Sequence, residues 1–470
     1  MQHRVLRLAA LAAALTVGAL APPAASAQMP DEPIGHTPCV KGMAGPFACD
    51  RVDLMTFWPP DEFGGGPSSG FGGPGNDVWG WTDPETRKEW VLMGRSNGTS
   101  FIDITDPKRP VLVADLPRHQ TPTLWSDIKV YRNHAFVVAE GAGNGMQVFD
   151  LTRLRDLEPE NGPVMVDADA HYDRFGNSHN VNINEDTGFA YAVGTTGDVP
   201  GGNPCRTGLH MVDIRDPLDP TFAGCFGEDG GTHDVQCVIY HGPDERYQGR
   251  EICFASNNSS GFGGPRVTTV DVTDKSNPVI LSRTSQGDPL AFSHQSWLTD
   301  DHRYFLHDDE SDEIRFGGRT RTRVFDVSDL ENVFVQAVYH GETHAADHNL
   351  YIRKRFAYQA NYFDGLRVVN IVGIDHPGDA FAPETPSAPD HQGLFEVACF
   401  DTDPTRNDIP GFGGSWSNYP FFGSGIVAVS GFDGLFIVRP RIPFDADIPP
   451  GATKKPPRIT PNERSDGCLR

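Results

Sequence analysis

One unit recurs seven times along this chain, and that repetition restricts the fold more than any other feature. Each copy opens with a small or polar residue followed by Asp, His or Trp. An apolar, β-rich strand follows, then a loop, an apolar strand ending in Asp, a turn and an outer strand. The openings are Asn76-Asp77, Ser126-Asp127, Ser178-His179, Thr232-His233, Ser293-His294, Asp347-His348 and Ser415-Trp416, spaced 50 to 68 residues apart. Self-similarity at this spacing, with no long helical periodicity, predicts an all-β, seven-bladed β-propeller.

The third strands are the clearest copies: Phe101-Ile102-Asp103-Ile104, Val148-Phe149-Asp150-Leu151, Met211-Val212-Asp213-Ile214, Thr269-Val270-Asp271-Val272, Val324-Phe325-Asp326-Val327 and Val368-Val369-Asn370-Ile371. Their recurring Asp could be read as a calcium ligand. The simpler reading is local: an Asp side chain accepts from nearby backbone amides and starts the turn into the fourth strand. Thr105-Asp106-Pro107, Arg215-Asp216-Pro217 and Thr273-Asp274-Lys275 are such turns in sequence. The seventh unit stops after its third strand, Gly434 to Arg439, while Val52-Asp53-Leu54-Met55-Thr56-Phe57 stands before unit one and resembles a fourth strand. The expected closure therefore uses residues 51–57 to complete the last blade, which removes exposed sheet edges.

The remaining segments divide accordingly. Residues 1–27 read as an export signal: Arg4 and Arg7, the apolar run Leu8 to Leu20, and the small-residue site Ala25-Ser26-Ala27. Residues 28–50 form an N-terminal segment, 51–440 the propeller, and 441–470 a Pro-rich tail. No later stretch reaches the ~18 apolar residues of a membrane span, so the expectation is a secreted, soluble, monomeric product. The formal net charge of −24 repels phosphate backbones and makes nucleic acid a poor partner.

Eight cysteines lie beyond the export signal, none in a Cys-x-x-Cys pair. In an oxidising compartment they read as disulfides rather than a thiolate zinc site. Eight cysteines allow about 105 pairings. Blade topology suggests Cys39 with Cys49, Cys205 with Cys225, Cys237 with Cys253, and Cys399 with Cys468.

Several stretches resemble the LVIVD-repeat proteins of the choice-of-anchor B family: Pro38-Cys39 with Cys49, Thr232 to Cys237, Tyr247 to Cys253, Ser293-His294-Gln295 through Glu310, Asp347 to Leu350, and Ser415 to Pro420. The likeness covers roughly residues 37–440. It implies an exported bacterial propeller and no particular biochemical activity. Family members differ in how they are anchored after the repeats. This chain has no terminal apolar segment, so free secretion is expected.

First strands of propeller blades line the central channel, so the openings should bring Asp77, Asp127, His179, His233, His294, His348 and Trp416 to the axis. Four adjacent blades each supply a histidine there. Imidazole suits a divalent transition metal such as Fe, Mn, Zn or Cu, and four imidazoles could hold one ion with positions left open. The same ring could instead be structural, each His bonding a neighbouring blade, or could serve a metal-free ligand. Asn180, Asp234, Gln295 and Asn349 fit each reading as partners of the imidazoles. Loops on the same face should add Arg95, Ser96, Asn97, Glu140, Asn257, Asn258, Asp308, Asp309, Glu310, Asn361 and Tyr362. Glu310 and Glu140 are the catalytic candidates, as a base beside metal-bound water. His302 and His376 read as surface groups in turns. Phe-Gly-Gly recurs at 71–73, 262–264, 316–318 and 412–414, a candidate flexible lid or collar over the histidine face.

Two functions follow from this pattern. One is an extracellular binding module that presents a loop-rich face to a ligand, glycan or protein, with a metal in the axial pocket. The other is a metal-dependent enzyme of oxygenase, lyase or hydrolase type using the same four-His centre. No Ser-His-Asp arrangement, phosphate-gripping loop or dinucleotide fingerprint points to a narrower class.

Overall fold

The inner strands of the structure run Gly75–Thr82, Ser126–Tyr131, Asn180–Asn184, Thr232–Ile239, Ser293–Leu298, Asn349–Arg353 and Ser415–Tyr419. Each neighbours the next, and the last packs on the first, so the seven sheets close into a ring. This computed structural model describes residues 28–65, 75–160, 162–196, 205, 207–258, 263–285, 290–375, 393–406, 408–442 and 468. Residues 1–27, which read in sequence as an export signal, His376 and most of the tail lie outside the described residues.

Six blades are antiparallel meanders in chain order. The seventh takes its outer strand from the other end of the chain: Val52–Trp58 pairs antiparallel with Gly434–Pro440, as the sequence predicts. The junction is packed with aromatic rings, with Phe57 4.8 Å from Phe436 and Phe47 5.2 Å from it. Glu89 adds a polar latch, accepting from the Ser424 backbone at 2.9 Å and from its hydroxyl at 2.5 Å. Two additions were not legible beforehand. The hairpin Met43–Ala44 and Phe47–Asp50 extends blade six, and Val164–Met165 runs parallel to the outer strand of blade one.

The repeated Asp of the third strands initiates turns. Asp103, Asp213 and Asp271 each accept from the backbone amide two residues on, and Asp106, Asp216 and Asp274 do so again within the same turns. Oδ1 of each is held by the local amide, and Oδ2 of Asp103, Asp106, Asp213 and Asp271 pairs with Lys88, Arg109, Arg215 and Arg250, in accord with the turn reading.

Apolar packing lies between blades rather than within them. One cluster joins Phe136, Val138 and Val148 of blade two to Val181, Ala190 and Val212 of blade three, and similar clusters fill other seams. Nearer the axis the blades are clasped by single side chains. Asp127 accepts from Val181 N at 2.7 Å, Asn182 from Cys237 N at 3.0 Å, Gln236 from Leu298 N at 2.7 Å and Gln295 from Leu350 N at 3.0 Å. Each clasp gives a partner to an amide at the seam that strand pairing within its own blade does not supply.

Lys129 sits at mid-depth in the channel. Its ammonium is 2.5 Å from Asp127, 3.7 Å from Asp77 and 4.5 Å from the centroid of Trp79. Burial alone would lower the Lys129 pKa, yet the two carboxylates raise it above the ordinary lysine value. Trp79, Trp297, Tyr351, Tyr419 and Phe421 interlock by edge-to-face and tilted contacts in the same region. A cavity of about 530 Å³ at this mouth is lined in part by Trp79, Lys129, Gln236 and Trp297. His302 belongs to this mouth as well. It is buried against His241, ring centroids 3.6 Å apart, which corrects the expectation of a surface turn group. Burial pushes its pKa down to about 4.

Cys39–Cys49, Cys205–Cys225, Cys237–Cys253 and Cys399–Cys468 are bonded, and no described cysteine is free. Four disulfides fit an oxidising compartment. Among the described residues no helix is long and apolar enough to cross a membrane.

Replacing Lys129 by Met should lower stability by about 3 kcal/mol, because it strands two buried carboxyl groups that share its charge. Urea unfolding at neutral pH measures this. An unchanged midpoint would show that Asp77 and Asp127 do not depend on the ammonium.

Candidate metal centre

Four histidines share one end of the channel in an unbroken arc. Ring centroids are 4.2 Å apart between His179 and His233, 4.3 Å between His233 and His294, and 4.3 Å between His294 and His348. The strands explain this. In blades four and five the pairing of the inner strand shifts register at the histidine, so Thr232 and Asp234, and Ser293 and Gln295, pair while His233 and His294 bulge out. A bulge redirects the side chain of the extra residue, here toward the axis.

The ring nitrogens are sorted by their neighbours. Nδ1 of His233 meets the backbone carbonyl of His294 at 3.2 Å, and Nδ1 of His348 meets that of Trp416. Nδ1 of His179 meets Glu140 Oε1 at 2.6 Å. The His348 backbone also lies beside the His294 ring, without a bond of good geometry. A carbonyl or carboxylate at Nδ1 requires the proton there, so in the neutral ring Nε2 keeps its lone pair, the form a metal binds.

Glu310 closes the arrangement. Its Oε2 is 4.0 Å from His294 Nε2 and its Oε1 is 3.8 Å from His348 Nε2. The Tyr362 hydroxyl donates to Glu310 Oε1. Ligand atoms about 2.0 to 2.2 Å from one ion can lie as much as ~4.3 Å apart, so the His294, His348 and Glu310 atoms, all within 4.8 Å of one another, need only a small inward movement to share an ion. Burial raises the Glu310 carboxyl above the usual range, with the Tyr362 hydroxyl opposing.

A cavity of about 550 Å³ opens above these groups. It is lined by all four histidines, Glu140, Glu310, Asn258 and Tyr362, and by a collar of Trp125, Phe292, Phe412, Trp416 and Phe432. Trp125 and Phe292 each stand one residue before a blade opening. That regular place was a usable signal, and it went unread.

The other residues aligned in sequence are elsewhere. Asp77 and Asp127 belong one step further along the inner strand, with Asp234 and Gln295. There they face Lys129 and clasp the next blade. Arg95 is buried inside blade one, ion-paired with Asp115 and bonded to Ser100, Asn97 and the Gly64 carbonyl. Ser96 is buried too. Asn257 accepts the Thr232 hydroxyl at 2.6 Å within blade four. Asp309 accepts the Ala291 and Phe292 amides, which positions Phe292 rather than reaching the cavity itself. Asp308 and Asn361 are buried and outside the lining, and burial raises the Asp308 pKa well above normal. Of the Phe-Gly-Gly loops, 71–73 and Phe262 lie outside the described residues. Phe316 is exposed at the end of a short helix, Asp312–Phe316, and Phe412 stands at the cavity mouth.

No protein-family profile matches the chain, and no curated protein does. Among solved structures it is similar to the hydrazine synthase of Kuenenia stuttgartiensis, at 10% identity and TM-score 0.47, covering 74% of this chain and 92% of that one. It is also similar to the β-propeller domain of Cps50 (Swd1) from Myceliophteria thermophila, at 9% identity and TM-score 0.47, covering 78% and 96%. A third is the computationally designed Ika8 protein, at 9% identity and TM-score 0.43, covering 78% and 83%.

Burial, and then repulsion from neighbouring rings, holds His233 and His294 well below the usual imidazole pKa. Burial brings His348 to about 3. In metal-free protein these rings stay neutral while the unfolded chain takes up protons below about pH 6.5. Their contribution to stability is therefore complete above that value and is lost as pH falls toward 3. Chelator-treated wild type should lose more stability between pH 7 and 5 than a His294→Gln, His348→Gln variant. Equal losses in urea unfolding would contradict the neutral assignment.

Proposed function

We propose that this chain is an exported, LVIVD-like binding module that holds one divalent transition metal in its axial pocket and presents it to an extracellular ligand. The observation that carries this reading is the convergence of His294, His348 and Glu310 on one point, with a carbonyl at His348 Nδ1 leaving its Nε2 free. His233 and His179 continue the arc and offer further nitrogen donors. Mixed imidazole and carboxylate donors suit Fe, Mn, Zn or Cu better than calcium or magnesium, which favour all-oxygen sites. The export signal and the family resemblance support a role outside the cell.

Binding is favoured over catalysis by the place of Glu310. Two imidazoles and a tyrosine hydroxyl surround it, which suits a ligand to the ion more than a free base. Glu140 is engaged with His179 and orients that ring.

Metal analysis of untagged protein, purified without a nickel column, tests the proposal. About one equivalent of a single transition metal is expected, lost in the His294→Ala, His348→Ala double variant and weakened in Glu310→Gln. Correctly folded wild type that takes up no Zn, Mn, Fe or Cu on dialysis would overturn it. Turnover of a substrate that disappears with the metal would instead favour the enzyme reading.

A further inference from the structure

The cavity above the histidines is unusual in how its polar and apolar groups are divided. Its floor consists of hydrogen-bond acceptors: the Nε2 atoms and the carboxylates of Glu310 and Glu140. The hydroxyls of Tyr362 and Thr232 in its lining are already given to Glu310 and Asn257. No Lys or Arg is among the described residues that line it, so no side-chain cation there would pair with an anionic ligand. The walls are aromatic. His233 lies 5.0 Å from Phe292, His348 lies 5.0 Å from Trp416, and Tyr362 lies 5.4 Å from Phe412, centroid to centroid.

Two of these rings are left open to solvent. Trp125 is 40% exposed and Phe412 is 54% exposed, and they are the two exposed large hydrophobics that line this cavity. Exposed aromatic groups at the rim of a concave site are a mark of ligand recognition rather than of core packing. Phe412 is held there by the backbone. Gly411 and Gly413 flank it at φ 150° and 149°, and a Cβ at Gly413 would come within 2.4 Å of the Phe363 ring. The loop is therefore built around glycine so that its phenyl ring stands over Tyr362. A cavity of about 550 Å³ suits a ligand of one or two rings.

We infer that the pocket takes a neutral, hydroxyl-bearing aromatic compound of the phenol class, its ring held by the Trp125 and Phe412 collar and its hydroxyl directed to the His294, His348 and Glu310 floor. This deepens the proposed metal-binding function and rests on it for the contact between hydroxyl and ion. The contact between ring and collar stands without it. Divalent charge on the ion is offset by Glu310 and the nearby Glu140, which is why a neutral partner fits.

Calorimetric titration of 4-ethylphenol into the untagged full chain, metal-loaded and chelator-stripped, tests this. Tight binding is expected in the loaded form. Phe412→Ala and Trp125→Ala should each weaken it about tenfold, since both substitutions remove aromatic contact, and leave metal content unchanged. Both side chains are exposed, so folding should survive, and circular dichroism checks that. Two charged analogues of the same ring, 4-ethylbenzoate and tyramine, should bind more weakly. Stronger binding of either one, or wild-type affinity for 4-ethylphenol in both variants, would overturn the inference. If the protein holds no metal yet 4-ethylphenol binds with the same dependence on Phe412 and Trp125, the aromatic ligand class stands and the metal reading falls.

Discussion

The hydrogen bond from one blade's inner-strand amide to a side chain of the blade before it governs how the ring is assembled. Where Asp127 accepts from Val181, Gln236 from Leu298 and Gln295 from Leu350, the height of each strand relative to its neighbour is fixed at the axis. Apolar seams tolerate some sliding, because dispersion has no direction. A buried amide that would otherwise lack a partner does not. Among these clasps Gln295 directly follows a histidine, so the bond that sets blade five against blade six also fixes the height of His294.

The same geometry explains what could be read from the sequence. Blade number, the closing strand and the turn role of Asp103, Asp213 and Asp271 follow from local chemistry repeated many times, so each copy corroborates the others. The histidines were legible for the same reason. Asp77 and Asp127 were misaligned with them by one step of the inner strand, because register shifts such as those at Gly75/Val78 and Ser293/Gln295 leave no mark on composition. Arg95 and Asn257 looked like surface polar groups on loops. Their partners, Asp115 and Thr232, are set by strand pairing, which a single sequence does not specify. The collar was harder still, since Trp125, Phe292 and Phe432 sit at strand ends where an aromatic residue reads as ordinary core.

Electrostatics divides the channel into layers. At one end, neutral imidazoles and a shielded carboxylate face an aromatic cavity. At mid-depth, Lys129 lies between Asp77 and Asp127; its charge holds Asp127 below the normal carboxylate range despite burial, while burial and the neighbouring Asp127 push Asp77 well above it. Beyond it the rings of Trp79, Trp297, Tyr351 and Phe421 interlock.

The two ends of the axis therefore differ in kind. Their cavities share no lining residue: the Lys129 ammonium and the rings of Trp79, Trp297, Tyr419 and Phe421 wall the one opposite the histidines. On the histidine side, one indole and one phenyl ring stand exposed at the rim, so a visitor to the imidazoles meets aromatic surface before it meets nitrogen.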